Sequence, residues 1–230
     1  MGALVHDASP GVEPEDYGAR AGLPPPRFLT GATYALVGAE FLKLRENLAG
    51  RPAPDQSDVA SVLLTFGGGD DRGAALTALD WLDAAGFEGD RVLMTTRMNP
   101  GLPALEERAR ASSKIALHLD NWQPAPVMAR CQLAFCAGGT TLYELACLGL
   151  PAAILTIADN QHAGARAWEA AGMGVHLGDI RTAAAGAACA RLRGLLADPG
   201  LLKSLSETSW RTVDGQGAAR VVEELLALEH

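Results

Sequence analysis

Residues 132–162, QLAFCAGGTTLYELACLGLPAAILTIADNQH, decide how this chain is built. Gln132 to Ala137 is an apolar run of buried-strand length, and it stops at Gly138-Gly139, where the absence of a Cβ lets backbone approach a ligand closely. Thr141 to Leu148 then reads as a short helix. Thr140 or Thr141 offers a hydroxyl to cap its first turn, Gly149 suits the left-handed position past its end, and Pro151 forbids continuation. Ala152 to Ile157 reads as a second strand, and Asp159 to Gln161 as a polar turn that opens another helix. The free amides and dipole at the start of the first helix would hold a phosphate over Gly138, Gly139 and Thr140 without any cationic side chain.

Glu144 is the odd residue, a carboxylate early in an otherwise apolar helix. Two readings of it stand. Thr141-x-x-Glu144 fits the capping box, in which the acid returns to the backbone. Alternatively, the carboxylate accepts hydrogen bonds from two vicinal hydroxyls of the kind a ribose offers.

Strand and helix patterns alternate outward from this unit. Val59 to Phe66 is a strand ending in Gly67-Gly68-Gly69-Asp70, followed by a helix from Arg72 to Ala85. Arg91 to Thr96 and Lys114 to Leu119 are further strands, with helices near Pro103 to Ala111 and Pro124 to Arg130. Gly174 to Leu177 is a sixth strand, and residues 181–228 read as two or three closing helices. The expectation is an α/β fold: a Rossmann-like parallel sheet of about six strands with helices on both faces. In such sheets ligands sit outside the carboxyl ends of the strands, where the turns 67–70, 138–141 and 159–161 all fall. Gly67-x-Gly69 begins a dinucleotide fingerprint, but Arg72 takes the third glycine position and no acid follows the second strand. A nicotinamide cofactor is thereby disfavoured. No P-loop is present, and no cofactor or metal is expected.

Residues 1–30 are rich in proline and read as loop or linker, and 32–48 as a helix weakened by Gly38. Arg51-Pro52-Ala53-Pro54 reads as a stiff linker, which divides the chain into an irregular segment 1–57 and a compact domain 58–228. Glu229 and His230 look like the remnant of a tag. His6-Asp7, near the terminus, reads as a solvent-exposed pair; His118 and His176 read as packed in strands, and His162 as a first-turn residue.

Composition narrows the partners. At 230 residues, 48% hydrophobic and 20% charged, the chain can bury a sizeable core. A net charge of −8 argues against nucleic acid, which asks for a basic surface. Cys131, Cys136, Cys147 and Cys189 lack CxxC spacing and read as small core residues of a reducing cytoplasm. No run is long enough to span a membrane.

Four segments together resemble one family: TYALVGAEF (33–41), LLTFGGGDD (63–71), AGGTTLYELACLGLPAAILTIADNQ (137–161) and DGQGAARV (214–221). They look like the C-terminal half of the SpsG/PseG-type proteins, which are sugar-nucleotide hydrolases and predicted glycosyltransferases of bacterial surface-polysaccharide and nonulosonic acid synthesis. These share a GT-B fold similar to MurG. The resemblance runs from about residue 28 to 222. It implies that Gly138, Gly139 and Thr140 hold a diphosphate, with Thr141 beside them in the substrate site, that Glu144 holds the uridine ribose, and that Gly67 and Gly68 face the diphosphate or sugar from across the cleft. It further implies that Asn160 and Gln161 touch sugar or phosphate and that backbone near Leu119 reads the base; a helix N-cap is the alternative for Asn160.

The chain departs from the family at Gly69, where serine is usual, and at Gly38, where arginine is usual. In the hydrolase the water-activating histidine lies in a glycine-rich loop of an N-terminal domain, and no such loop is found here. The resemblance therefore implies a UDP-sugar-binding domain with no catalytic residue of its own, whose partner is a missing N-terminal domain. A true glycosyltransferase and a non-catalytic scaffold are the alternatives. The 32–48 helix, deprived of that partner, could pair between copies in a homodimer.

Overall fold

The computed structural model describes residues 3–17, 26–49 and 59–228. The expected linker 51–54 and tag remnant 229–230 lie outside the described residues. A main sheet is built from β3 (Ser61–Thr65), β4 (Asp90–Thr95), β5 (Ile115–Leu119), β6 (Leu133–Cys136), β7 (Ala152–Thr156) and β8 (Gly174–Asp179), after β1 (Leu4–Asp7) and β2 (Arg27–Thr30). The helices are α1 (Ala39–Leu48), α2 (Ala74–Ala84), α3 (Leu102–Ala111), α4 (Pro124–Met128), α5 (Thr141–Cys147), α6 (His162–Ala170), α7 (Ala185–Leu196), α8 (Pro199–Thr212) and α9 (Gly217–Ala227).

The main sheet is wholly parallel, in the order β5-β4-β3-β6-β7-β8. The chain enters at the centre with β3, moves outward to β5, and then returns to the other side of β3 as β6. That reversal makes a switch point between β3 and β6. There the two following turns diverge, and a crevice opens beyond the strand ends.

Period-two alternation explains why the strands read as unbroken apolar runs. Val62 and Leu64 of β3, Leu133 and Phe135 of β6, and Ala153 and Leu155 of β7 face one core, which α2 and α7 cover. Leu63, Ala134, Cys136, Ala152 and Ile154 face the other, covered by α1, α4, α5 and α6. On these three strands both faces are dry, so polar residues fall only at the strand ends. All four cysteines are buried and free.

The helix ends follow from glycine. After α5, Gly149 takes φ +67 and donates to Ala146 O, while Leu150 N donates to Leu145 O, which is the Schellman arrangement. Gly86 after α2 and Gly172 after α6 do the same, each handing the chain into a strand. The caps expected from Thr140 or Thr141 do not form: α5 begins at Thr141 and no side-chain hydrogen bond caps it.

The N-terminal segment differs from the expected loop. β1 and β2 pair in parallel, Leu4 with Arg27 through Asp7 with Thr30. Neither four-residue strand carries enough periodicity to be seen locally, because its partner lies more than twenty residues away. This pair leans on α9: Arg27 forms an ion pair with Glu224, and Arg220 donates to Thr33 O at 2.9 Å. A Cβ at Gly217 would fall 2.2 Å from Ala35 O, so only glycine admits this contact. The expected 32–48 helix is a single 3-10 turn (Ala32–Tyr34), an extended link, and α1 starting after Gly38. Phe41 of α1 is fully buried beside α5 residues, so this helix finds its cover within the chain and supplies no reason to pair between copies.

Candidate functional site

A cleft of about 380 Å³ opens at the carboxyl ends of β3, β4 and β5 and reaches the first turn of α5. It gathers Gly67 and Gly68 from the turn after β3, Thr96 and Met98 from the turn after β4, Asp120 and Trp122 from the turn after β5, and Thr141 and Glu144 from α5. Four residues singled out in the sequence, Gly67, Gly68, Thr141 and Glu144, thus meet in one cavity.

The turns are held from beneath. Asp71 is buried; its Oδ1 accepts from Gly73 N at 2.9 Å and its Oδ2 from Ala75 N at 3.2 Å, so it caps the entry to α2. The same Oδ2 accepts from Asn99 Nδ2 at 3.1 Å, and that amide also donates to Thr95 Oγ1 at 3.0 Å. A satisfied buried network of this kind rigidifies the loops it joins. Gly67 sits at φ +95, a conformation costly for any other residue. Thr96 then donates its hydroxyl to Gly68 O, tying the second strand's end to the first turn.

The third turn carries a strained residue. Asp120 has φ +48 and is held by its carboxylate, which accepts from the backbone and guanidinium of Arg97. Asn121 Oδ1 then accepts from Gln123 N at 3.0 Å, so the loop 120–123 is a braced turn. Its tip is Trp122, 91% exposed and lining the cleft. Among the described residues nothing packs upon this large aromatic at the mouth of the cavity, and such a face can take a flat ligand. Sequence reasoning overlooked Trp122 and Asp120. The signal available was the polar run DNWQ directly after a strand.

Glu144 is half-buried and lines the cleft. Burial, followed by the charge of Glu40, pushes its carboxyl above the usual range, with a bond from Thr141 opposing. The capping-box geometry does not arise, because Thr140 occupies the N-cap and Thr141 is already helical. α5 is only seven residues long, so its macrodipole is small.

The remaining expected residues are placed differently. Gly138, Gly139 and Thr140 form the turn leading into α5 but do not line the cavity itself. Leu119 lies in a neighbouring hollow with His118 and Trp122 rather than in the cleft. Asn160 is exposed within a 3-10 turn, Asp159–Gln161, and is not the N-cap of α6, a place taken by Gln161. Gln161 turns its side chain inward, where Oε1 accepts from Ile157 N at 2.9 Å, so this amide shapes its own turn. His162 opens α6 half-buried, its Nε2 3.0 Å from Asp179 Oδ2 and its Nδ1 3.2 Å from Thr156 Oγ1. Asp159, His162 and Asp179 come close together, but Arg181 binds both carboxylates, which makes this an ion-pair network. His118 and His176 are half-buried in their strands, and His6 is exposed, bonded to Tyr34 O at 2.8 Å.

No family model matches the chain. A curated relative, the spore coat polysaccharide biosynthesis protein SpsG of Bacillus subtilis (strain 168), is 23% identical over 197 residues, covering 85% of this chain and 57% of the relative. Among solved structures, UDP-GlcNAc 2-epimerase from Neisseria meningitidis bound to UDP-GlcNAc aligns with TM-score 0.61 at 16% identity, over 89% of this chain and 57% of that one. The glycotransferase of kitacinnamycin aligns with TM-score 0.62 at 18% identity, over 97% and 54%. The spinosyn rhamnosyltransferase SpnG complexed with thymidine diphosphate aligns with TM-score 0.52 at 20% identity, over 88% and 53%. The fold is thus GT-B glycosyltransferase-like, and the chain spans little more than half the length of these relatives.

Proposed function

We propose that this chain is the nucleotide-sugar-binding domain of a GT-B-type enzyme of bacterial surface-polysaccharide synthesis, and that its ligand is a UDP-sugar. The observation that carries this is the company Glu144 keeps: a half-buried acid lines the same switch-point cleft as the Gly67-Gly68 turn and the exposed indole of Trp122. In this reading the base lies on Trp122, the ribose hydroxyls donate to Glu144, and the diphosphate extends toward backbone amides of the turn 138–140. Thr141 lines the same cleft, and in this reading Leu119 backbone, Asn160 and Gln161 would reach the ligand from outside it. An SpsG relative of polysaccharide synthesis, an epimerase bound to UDP-GlcNAc and a transferase bound to thymidine diphosphate support a nucleoside diphosphate as the shared element.

The reaction class we infer is hydrolysis of the sugar-nucleotide bond, of the kind that releases UDP from a 2,4-diacetamido-2,4,6-trideoxy sugar. This domain would supply no acid or base. Its amides would stabilise charge growing on the leaving diphosphate, while a base from an N-terminal domain activates water. Transfer to an acceptor is the second reading, favoured by the two glycosyltransferases among the structural neighbours. Either reaction would take place in the cytoplasm, and the described residues include no helix long and apolar enough to cross a membrane.

The further domain would sit on the β1–β2 pair and on α9. That helix turns Arg220 and Glu224 toward the protein and leaves Val222, Leu225 and Leu226 exposed, an apolar stripe on its outer side. Calorimetric titration with UDP, UDP-GlcNAc and uridine tests the binding reading. Heats that fit a single site for UDP support it; no heat and no thermal shift at millimolar UDP overturn it.

A further inference from the structure

The turn 138–140 has a back wall that neither the nucleotide reading nor the family resemblance explains. A Cβ built on Gly138 would lie 3.2 Å from Gln161 Cβ, 3.4 Å from Gln161 O and 3.4 Å from Thr156 Cγ2. Gln161 and Thr156 therefore press directly on this turn. Thr156 is in hydrogen-bond reach of His162, the residue that follows Gln161.

Thr156 is fully buried, and its Oγ1 lies 3.2 Å from Gly178 O and 3.2 Å from His162 Nδ1. On the other side of the ring, Nε2 lies 3.0 Å from Asp179 Oδ2, and Asp179 is itself gripped by Arg181, Nε to Oδ1 at 3.0 Å. Asp159 completes the set through Arg181. The imidazole thus joins the end of β7, the end of β8 and the start of α6 at the point where Thr156 and Gln161 meet the glycine turn.

We propose that His162 is a positioning residue for the Gly138 turn, holding Thr156 and Gln161 so that the turn's amides point at a diphosphate. This rests on the nucleotide-sugar reading for its ligand, and on geometry alone for the turn. The ring is far from Trp122 along the sheet, on the side of β7 and β8 rather than β4 and β5. Its loss should weaken phosphate binding and spare base binding.

The test compares UDP with uridine. His162→Ala should lower UDP affinity about tenfold, the worth of one well-placed hydrogen bond, with uridine affinity unchanged. His162→Asn, whose amide can hydrogen-bond to Thr156 from near the Nδ1 position, should recover most of the UDP affinity. His162→Gln, which reaches only toward Asp179, should not. Equal loss of UDP and uridine, or no loss of either, overturns the proposal. A second measurement needs no ligand: amide hydrogen exchange at Gly138 to Thr140 should quicken in His162→Ala and return in His162→Asn. Unchanged exchange overturns the positioning role even if UDP binds well. Absence of UDP binding by the unaltered protein would instead sink the nucleotide reading, and the exchange data would still decide the role of His162.

Discussion

Gln161 and Gly138, on different turns, are in contact: the β-carbon of Gln161 stands 3.2 Å from where a side chain at Gly138 would begin. Gly139 beside it has nothing within 4 Å of the same position. A side chain would thus be crowded at the first glycine and has room at the second, where only an approaching ligand would meet it. Gly138→Ala should lower stability by about 1–3 kcal/mol, the usual cost of overpacking. Gly139→Ala should leave the melting temperature unchanged and weaken UDP binding. Thermal melts and titration on both variants check this; equal destabilisation by the two would refute it.

Glu144 yields a test with opposite signs for stability and binding. Its folded-state carboxyl titrates above the ordinary range because it is buried and faces Glu40. The native state thus holds this proton more tightly than the unfolded chain, and stability falls as pH rises from the unfolded value through the raised one. Glu144→Gln should raise the melting temperature near neutral pH and flatten that decline, while UDP affinity drops by about 1–3 kcal/mol if hydroxyls bond to the carboxylate. Loss of discrimination against 2′-deoxyuridine diphosphate would tie the effect to the ribose.

Trp122 is 91% exposed, so its removal costs the fold little. Trp122→Ala should leave the unfolding midpoint in place and weaken both UDP and uridine by about 1–3 kcal/mol, the range for a base on an aromatic platform. Quenching of indole fluorescence by UDP, lost in the variant, would report the contact directly.

Asp179 governs the acid side. Hydrogen bonds from Arg181 outweigh its burial and bring its carboxyl from near 3.8 down to about 2. A depressed acid stabilises the fold above its unfolded value and loses that contribution as pH falls toward the folded one. Asp179→Asn should therefore be destabilising near neutral pH, and the difference from the unaltered protein should shrink between about pH 4 and pH 2. Urea midpoints across that window measure it.

The outer stripe of α9 predicts behaviour in solution. Val222, Leu225 and Leu226 are exposed on one helix, and such a stripe favours association. Leu225→Glu with Val222→Glu should leave the melting temperature unchanged and remove any concentration-dependent self-association seen by light scattering.

Most of the main sheet was legible because its strands are dry on both faces. Continuous apolar runs such as Leu133–Cys136 and Ala152–Thr156 need no knowledge of neighbours to be seen, and glycines 67 and 149 announced their turns by their required backbone angles. The β1–β2 pair escaped notice because each strand exists only through a distant partner. Gln161 was given to sugar or phosphate by the family resemblance, and the fold turns its Oε1 to Ile157 N.

By itself the sequence determined the kinds of elements, their ends and the residue types available to a diphosphate and a ribose, since periodicity and φ preferences are local properties. Only the tertiary structure decided that β3 and β6 are neighbours, and hence that Gly67, Glu144 and Trp122 share a cleft. Strand order depends on which apolar faces bury one another. That is a long-range packing energy, which no stretch of residues carries alone.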